Sequence, residues 1–325
     1  MLNARRNRCF VLALLVLSCL AAAENKNATD NNSDRSDFSG DGSYRSNVSE
    51  VRVTFFATDE NNHPLDIIDK ADFAVVDNEQ VIRSFRSFTH SDETSLEVVA
   101  LVDLSESVAP RVRVAINDVL QLVAREQSVP DDNVSVLSFG GVKPAVLCTS
   151  GCRAADSGSR LLAMKGCGTT PLYDGLIFAA EFIAHHRRPG VRPVLILFSD
   201  GIDTISLHSA NDAMDALLAS GAFLYAVDLG TPVSKSSKQM LSSAFLRELA
   251  QSTGGRYFFS PRASSSADAS TVLNAVLDDL RASWVVSYNL PSHETGFHSL
   301  RLLPTHKLNV TFHSRNGYNY EPSGY

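Results

Sequence analysis

The sequence predicts an α/β fold: an open, doubly wound, mostly parallel sheet with helices on both faces, plus a small β module from both termini. Three observations carry this. From residue 96 onward, short apolar strands alternate with segments of helical periodicity. Several of those strands, such as LEVVALVDL and RPVLILFSDG, are almost continuously apolar, as strands covered on both faces must be. Before residue 96 and after residue 285 the pattern changes to shorter alternating strands separated by turns.

Residues 1–23 read as a secretory signal. MLNARRNR is basic, CFVLALLVLSCLAAA is apolar, and Ala21-Ala22-Ala23 fits a small-residue cleavage site. A second reading makes VLSC a loose lipobox, with Cys19 carrying a lipid that anchors the chain to a membrane. Either way the chain is expected to be exported, and either secreted or held at the cell envelope. The apolar run falls short of the ~20 residues of a spanning helix. Residues 24–48 are Asn, Asp, Ser and Gly with almost nothing apolar, so they are expected to be a disordered linker. Residues 49–95 form a small β-strand module, with VRVTFFATD as its first strand and Asp77-Asn78 as a turn.

The domain over 96–285 opens with LEVVALVDL. A helix over 108–127 follows, with Val112, Ile116, Val119, Leu120 and Val123 at helical spacing. NVSVLSFGG and PAVLCT are the next strands. LYDGLIFAAEFIAHHR is a helix stopped by Pro189-Gly190. RPVLILFSDG is a strand. SANDAMDALLASG is a helix capped by Ser209 or Asn211 and stopped by Gly221. AFLYAVDLG, the helix SSAFLRELAQSTGG, the strand RYFFS and the helix ASTVLNAVLDDLRA complete it. Residues 286–325 form a C-terminal β tail expected to pack with the N-terminal module.

The 325 residues are 44% hydrophobic and 20% charged, which is ordinary globular composition. The formal charge is −7, and loss of Arg5, Arg6 and Arg8 with the leader takes it to −10. So acidic a chain is ill suited to nucleic acid, and none is expected as a partner. Of five cysteines, Cys9 and Cys19 fall in the leader. Cys148 and Cys152 are the expected disulfide, because Gly151 lets the chain turn between them; Cys167 is then free. Three thiols without nearby histidines do not complete a zinc site.

Ligands of an open α/β sheet bind beyond the carboxyl ends of its strands. Three polar clusters fall there: Asp103-Leu104-Ser105-Glu106-Ser107, Gly168-Thr169-Thr170 and Ser199-Asp200-Gly201. Two carboxylates and several hydroxyls would converge. All-oxygen donors suit Mg²⁺, or Mn²⁺ or Ca²⁺, rather than zinc or copper. Neutral hydroxyls leave such an ion under-neutralised, with an open position for a partner carboxylate. Taken alone, Ser105 or Ser107 equally suits a helix cap, and Asp200 a turn.

These residues carry a resemblance. DLSES is similar to the D-x-S-x-S motif of von Willebrand factor A (VWA) domains. GTTPLYDGL and VLILFSDGIDT resemble the other two segments of that family's metal-ion-dependent adhesion site, or MIDAS. The resemblance implies that Ser105, Ser107 and Thr170 touch the ion through hydroxyls. It implies that Asp103 and Asp200 act directly or through water. VRVTFFATDENNHPLDIIDKADFAVVDN, LAQSTGGRYFF and RNGY further resemble secreted bacterial VWA-related proteins. One departure is Glu106, where many members have glycine; it puts an extra carboxylate beside the site.

The function this implies is metal-dependent protein–protein binding, in adhesion or assembly, by a chain that is not an enzyme. Its partner would be a protein offering Asp or Glu. Two other functions are a metal-dependent hydrolase or phosphoryl-transfer enzyme, and a structural VWA scaffold without metal. The chain has neither a G-x-S-x-G elbow nor a G-x-x-x-x-G-K-[ST] loop.

Overall fold

A computed structural model describes residues 50–321, apart from 92–94, 110, 112–132, 142, 150–151, 153–158, 161–162, 166–167, 231–236, 260–265 and 307–308. The expected leader, linker, lipid-bearing Cys19, free Cys167 and nearly all of the helix over 108–127 lie outside these residues.

The N-terminal strands are β1 (Glu50–Thr58), β2 (Phe73–Asp77), β3 (Gln80–Ile82) and β4 (Ser87–His90). The α/β domain follows with β5 (Ser95–Asp103), β6 (Val134–Phe139), β7 (Ala145–Thr149), α1 (Leu172–His185), β8 (Val191–Ser199), α2 (Ala210–Ser220), β9 (Phe223–Asp228), α3 (Ser237–Thr253), β10 (Tyr257–Phe259) and α4 (Ser266–Arg281). The tail supplies β11 (Trp284–Asn289), β12 (Gly296–Pro304), β13 (Thr311–Ser314) and β14 (Gly317–Tyr320).

The central sheet has the order β10-β9-β8-β5-β6-β7, with β5 and β8 in its middle. All its pairings are parallel except β6–β7, which is antiparallel. Alternate residues of β5 enter two cores. Val98, Ala100 and Val102 face the side that holds Val276 and Leu280 of α4. Val99 and Leu101 face α1, α2 and α3 through Leu176, Leu217 and Leu249. Burial on both faces explains why β5 and β8 read as unbroken apolar runs.

Local chemistry ends the helices where the sequence says. Ser209 caps α2 in a capping box with Asp212, and Gly221 closes it in the left-handed region at φ 69°. His185 and His186 turn their Nδ1 atoms to the carbonyls of Glu181 and Phe182, at 2.7 and 2.8 Å. Cys148 and Cys152 are joined in a disulfide with a Cα separation of 5.8 Å.

The strands from the two ends form two antiparallel sheets, β13-β1-β11-β4 and β14-β12-β2-β3, rather than one layer. They share a core in which Val53, Phe55 and Val286 meet Phe73, Val75 and Leu302. A single layer would leave the apolar stripe of β12 in water, and a second sheet removes it. RNGYNYEP, expected as the end of the tail, contributes β14. β1 serves two cores: Phe55 points into the sandwich, and Phe56 joins the α/β core and stacks on His313 at 4.5 Å.

Candidate metal centre

From β5 the chain passes to β6 on one side and later to β8 on the other. That reversal opens a crevice at the carboxyl ends of β5 and β8, where α/β sheets bind ligands. Asp103 ends β5, and Asp200 follows β8.

Asp103 is fully buried. Its Oδ1 accepts the Ser105 N–H at 2.8 Å, and its Oδ2 accepts the Ser199 hydroxyl at 2.7 Å. Burial pushes its carboxyl up to about 6, against these hydrogen bonds, and the Asp200 charge adds to the rise. Ser105 and Ser107 point their hydroxyls at each other, 3.1 Å apart. Asp200 is buried too, and its Oδ1 accepts the Ile202 N–H at 3.1 Å. Gly201, at φ 74°, leaves no room for a Cβ: one would lie 2.9 Å from the Ser242 carbonyl.

The middle segment is sewn to both others. The Glu106 N–H donates to the Gly168 carbonyl at 3.2 Å, and the Gly141 N–H to the Thr169 carbonyl at 2.9 Å. Gly140 packs behind Ser105, where a Cβ would come within 2.8 Å of the Leu104 carbonyl carbon. Thr170 is buried and tied to Thr204. Its N–H donates to Thr204 Oγ1 at 2.8 Å, and its carbonyl accepts the Thr204 N–H at 2.9 Å. Neither bond uses the Thr170 hydroxyl. Thr169 is exposed and spends its hydroxyl on the Gly141 carbonyl at 3.1 Å.

All three clusters therefore converge on one edge, with Ser107 and Glu106 on its exposed side. Among the described residues no group of three or more His, Cys, Asp and Glu gathers, so the donors here depend on hydroxyls. Among the described residues, the groups acting on Asp103 include a second carboxylate and no cation. An oxygen-only set with two close carboxylates fits a hard divalent ion.

The sequence does not reveal the supports. Asp203 Oδ1 accepts the Leu172 N–H at 2.9 Å, and Ser206 Oγ accepts the Tyr173 N–H at 3.0 Å, so another loop caps α1. Asp174 in turn accepts the N–H groups of Leu207 and His208, each at 3.1 Å. These are contacts across 31 to 34 residues, beyond any local motif. The S-D-G spacing does place Ser199 next to Asp200, but its bond to Asp103 depends on strand register.

Fold and edge together define the class: a doubly wound α/β domain with an oxygen-rich cluster at its switch point. Residues 98–202, which hold Asp103, Ser105, Ser107, Thr170 and Asp200, match the family model of the von Willebrand factor type A domain, so this stretch of the chain is a VWA domain. It is 30% identical over 140 residues to an uncharacterized protein of Mycobacterium tuberculosis, covering 41% of this chain and 22% of that one. It is 29% identical over 188 residues to the magnesium-chelatase 67 kDa subunit of Chlorobaculum tepidum, covering 53% and 30%. The chain thus spans less than a third of the length of either relative. A von Willebrand factor type A structure from Catenulispora acidiphila superimposes with a TM-score of 0.44 at 12% identity, covering 86% of this chain and 76% of that one. An aerotolerance-related membrane protein from Bacteroides fragilis gives 0.44 at 16%, covering 57% and 98%.

Proposed function

We propose that this chain is a non-enzymatic binding protein that captures a protein partner through a divalent cation, Mg²⁺ or else Mn²⁺ or Ca²⁺. The observation that carries it is the buried pair Asp103 and Asp200 beside the hydroxyls of Ser105 and Ser107, with no cation among the described groups that act on Asp103. Ser105, Ser107 and Thr170 would hold the ion through hydroxyls, and Asp103 and Asp200 directly or through water. The ion would supply positive charge and an open position for the partner's Asp or Glu. Ile205 and Leu207, 53% and 92% exposed on the loop after Asp200, would give the partner an apolar contact. The expected leader and the Cys148–Cys152 disulfide support an exported chain, secreted or envelope-anchored.

Thermal unfolding with and without millimolar Mg²⁺ or Mn²⁺ tests this. A ligand bound only by the folded state raises its stability. The wild type gains in melting temperature, and Asp103→Ala does not. No gain in the wild type, or an equal gain in Asp103→Ala, contradicts the proposal.

A further inference from the structure

At the opposite end of the central sheet, a cavity of about 320 Å³ lies between the α/β domain and the β sandwich. Four arginines line it: Arg52 of β1, Arg187 beyond α1, Arg192 of β8, and Arg315 between β13 and β14, together with Thr54 and Thr253. Guanidinium groups stay charged in proteins. Four arginines at one cavity, in a chain of net charge −7, concentrate positive charge there, although Arg192 turns its guanidinium to α4.

Little answers that charge. Arg52 Nε has Glu50 Oε2 at 3.8 Å, but its side chain is 73% exposed, where such a pair contributes little. Among the described residues no ion pair joins Arg187, Arg192 or Arg315 to a carboxylate. Arg315 donates to the Arg52 carbonyl at 3.1 Å and lies 5.5 Å from the Tyr318 ring centre. Burial lowers its pKa, and the Arg187 charge pushes the same way. Arg192 donates to the Leu280 carbonyl at 3.0 Å, while its Nε and Nη1 have no hydrogen-bond partner. Holding these cations together costs free energy that a bound anion would offset.

We propose that this junction is a binding site for a small polyanion, a molecule with two or more phosphate or carboxylate groups. Arg52 and Arg315 would grip it from the sandwich, and Arg187 from the α/β domain. The volume falls within the range of ligand pockets, and pockets favour such junctions. The ligand would clamp the two parts of the molecule together, at a distance from the metal edge.

Calorimetric titration of the full chain with sodium pyrophosphate, and separately with sodium citrate, tests this. The chain is first freed of divalent ions on a chelating resin, so that none bridges an anion to Asp103. The expected result is saturable binding of at least one anion, weakened roughly tenfold or more in Arg187→Ala. Pyrophosphate alone assigns phosphate, citrate alone assigns carboxylates, and both assign charge as the criterion. Arg187 is exposed, so its variant keeps the fold. Arg315→Ala is the second variant, with its fold checked by circular dichroism. No binding of either anion overturns the proposal. So does wild-type affinity in Arg187→Ala, or in folded Arg315→Ala.

Discussion

Asp103 is the residue on which the site turns. Its carboxylate is oriented from both sides, by Ser105 and Ser199, so it meets a ligand without rearranging. Thr204 does for Thr170 what Ser199 does for Asp103, through the backbone. Thr204→Val removes a hydroxyl that both accepts and donates, leaving the Thr170 N–H without its partner. We expect a loss of about 1–3 kcal/mol in stability by chemical denaturation. Mn²⁺ affinity should also fall, although Thr204 is not among the expected ligands. Unchanged Mn²⁺ affinity in calorimetry would show that the bond does not position Thr170. That Asp103, Ser105, Ser107 and Asp200 stand at a sheet edge was legible in the sequence, because β5 and β8 declare themselves as apolar runs; Thr170 lies just before α1, and its place at the edge came from the resemblance. Thr204 and Ser199 were not legible as supports: their bonds span 34 and 96 residues and exist only through strand order.

At the scale of elements, β5 and β8 were plain in the sequence because burial on both faces leaves no polar position along most of their length. The β strands of the two ends were harder. Their faces alternate, and alternation marks a buried face without saying what covers it. β1 shows the difficulty, since Phe55 and Phe56 are adjacent and both fully buried, in different cores. A single covered face would leave one of them wet. Phe56→Ala should cost about 3–5 kcal/mol, the usual penalty for emptying an aromatic site in a core. If denaturation gives less than about 1 kcal/mol, β1 is not packed on the α/β core as described.

For the whole molecule, the junction of sandwich and α/β domain carries buried charge. Asp279 of α4 is fully buried, 2.8 Å from Arg256 Nε but without hydrogen-bond alignment. Burial pushes its carboxyl from 3.8 up to about 7, only partly opposed by Arg256. Between those values the folded chain keeps a proton that the unfolded chain releases. Stability from this group is therefore full below about pH 4 and lost as pH rises towards 7. His313, pushed down to about 4 by burial, adds a slope of opposite sign below its ordinary 6.5. The clean observable is the difference from Asp279→Asn: the variant should gain on the wild type as pH rises from 4 to 7. A difference independent of pH contradicts the shift.

The β5–β8 edge and the arginine-lined cavity stand at opposite ends of one sheet, so the two proposed sites can be tested apart. In the proposed function Asp103, Ser105, Ser107, Thr170 and Asp200 hold one divalent ion. The most direct test is anomalous diffraction from crystals grown with Mn²⁺. We predict one strong peak at the β5–β8 edge, within about 2.5 Å of the Ser105, Ser107 and Thr170 hydroxyl oxygens. An edge without a peak in Mn²⁺-saturated crystals, or a peak bound by other residues, would mean that these five residues do not hold the ion.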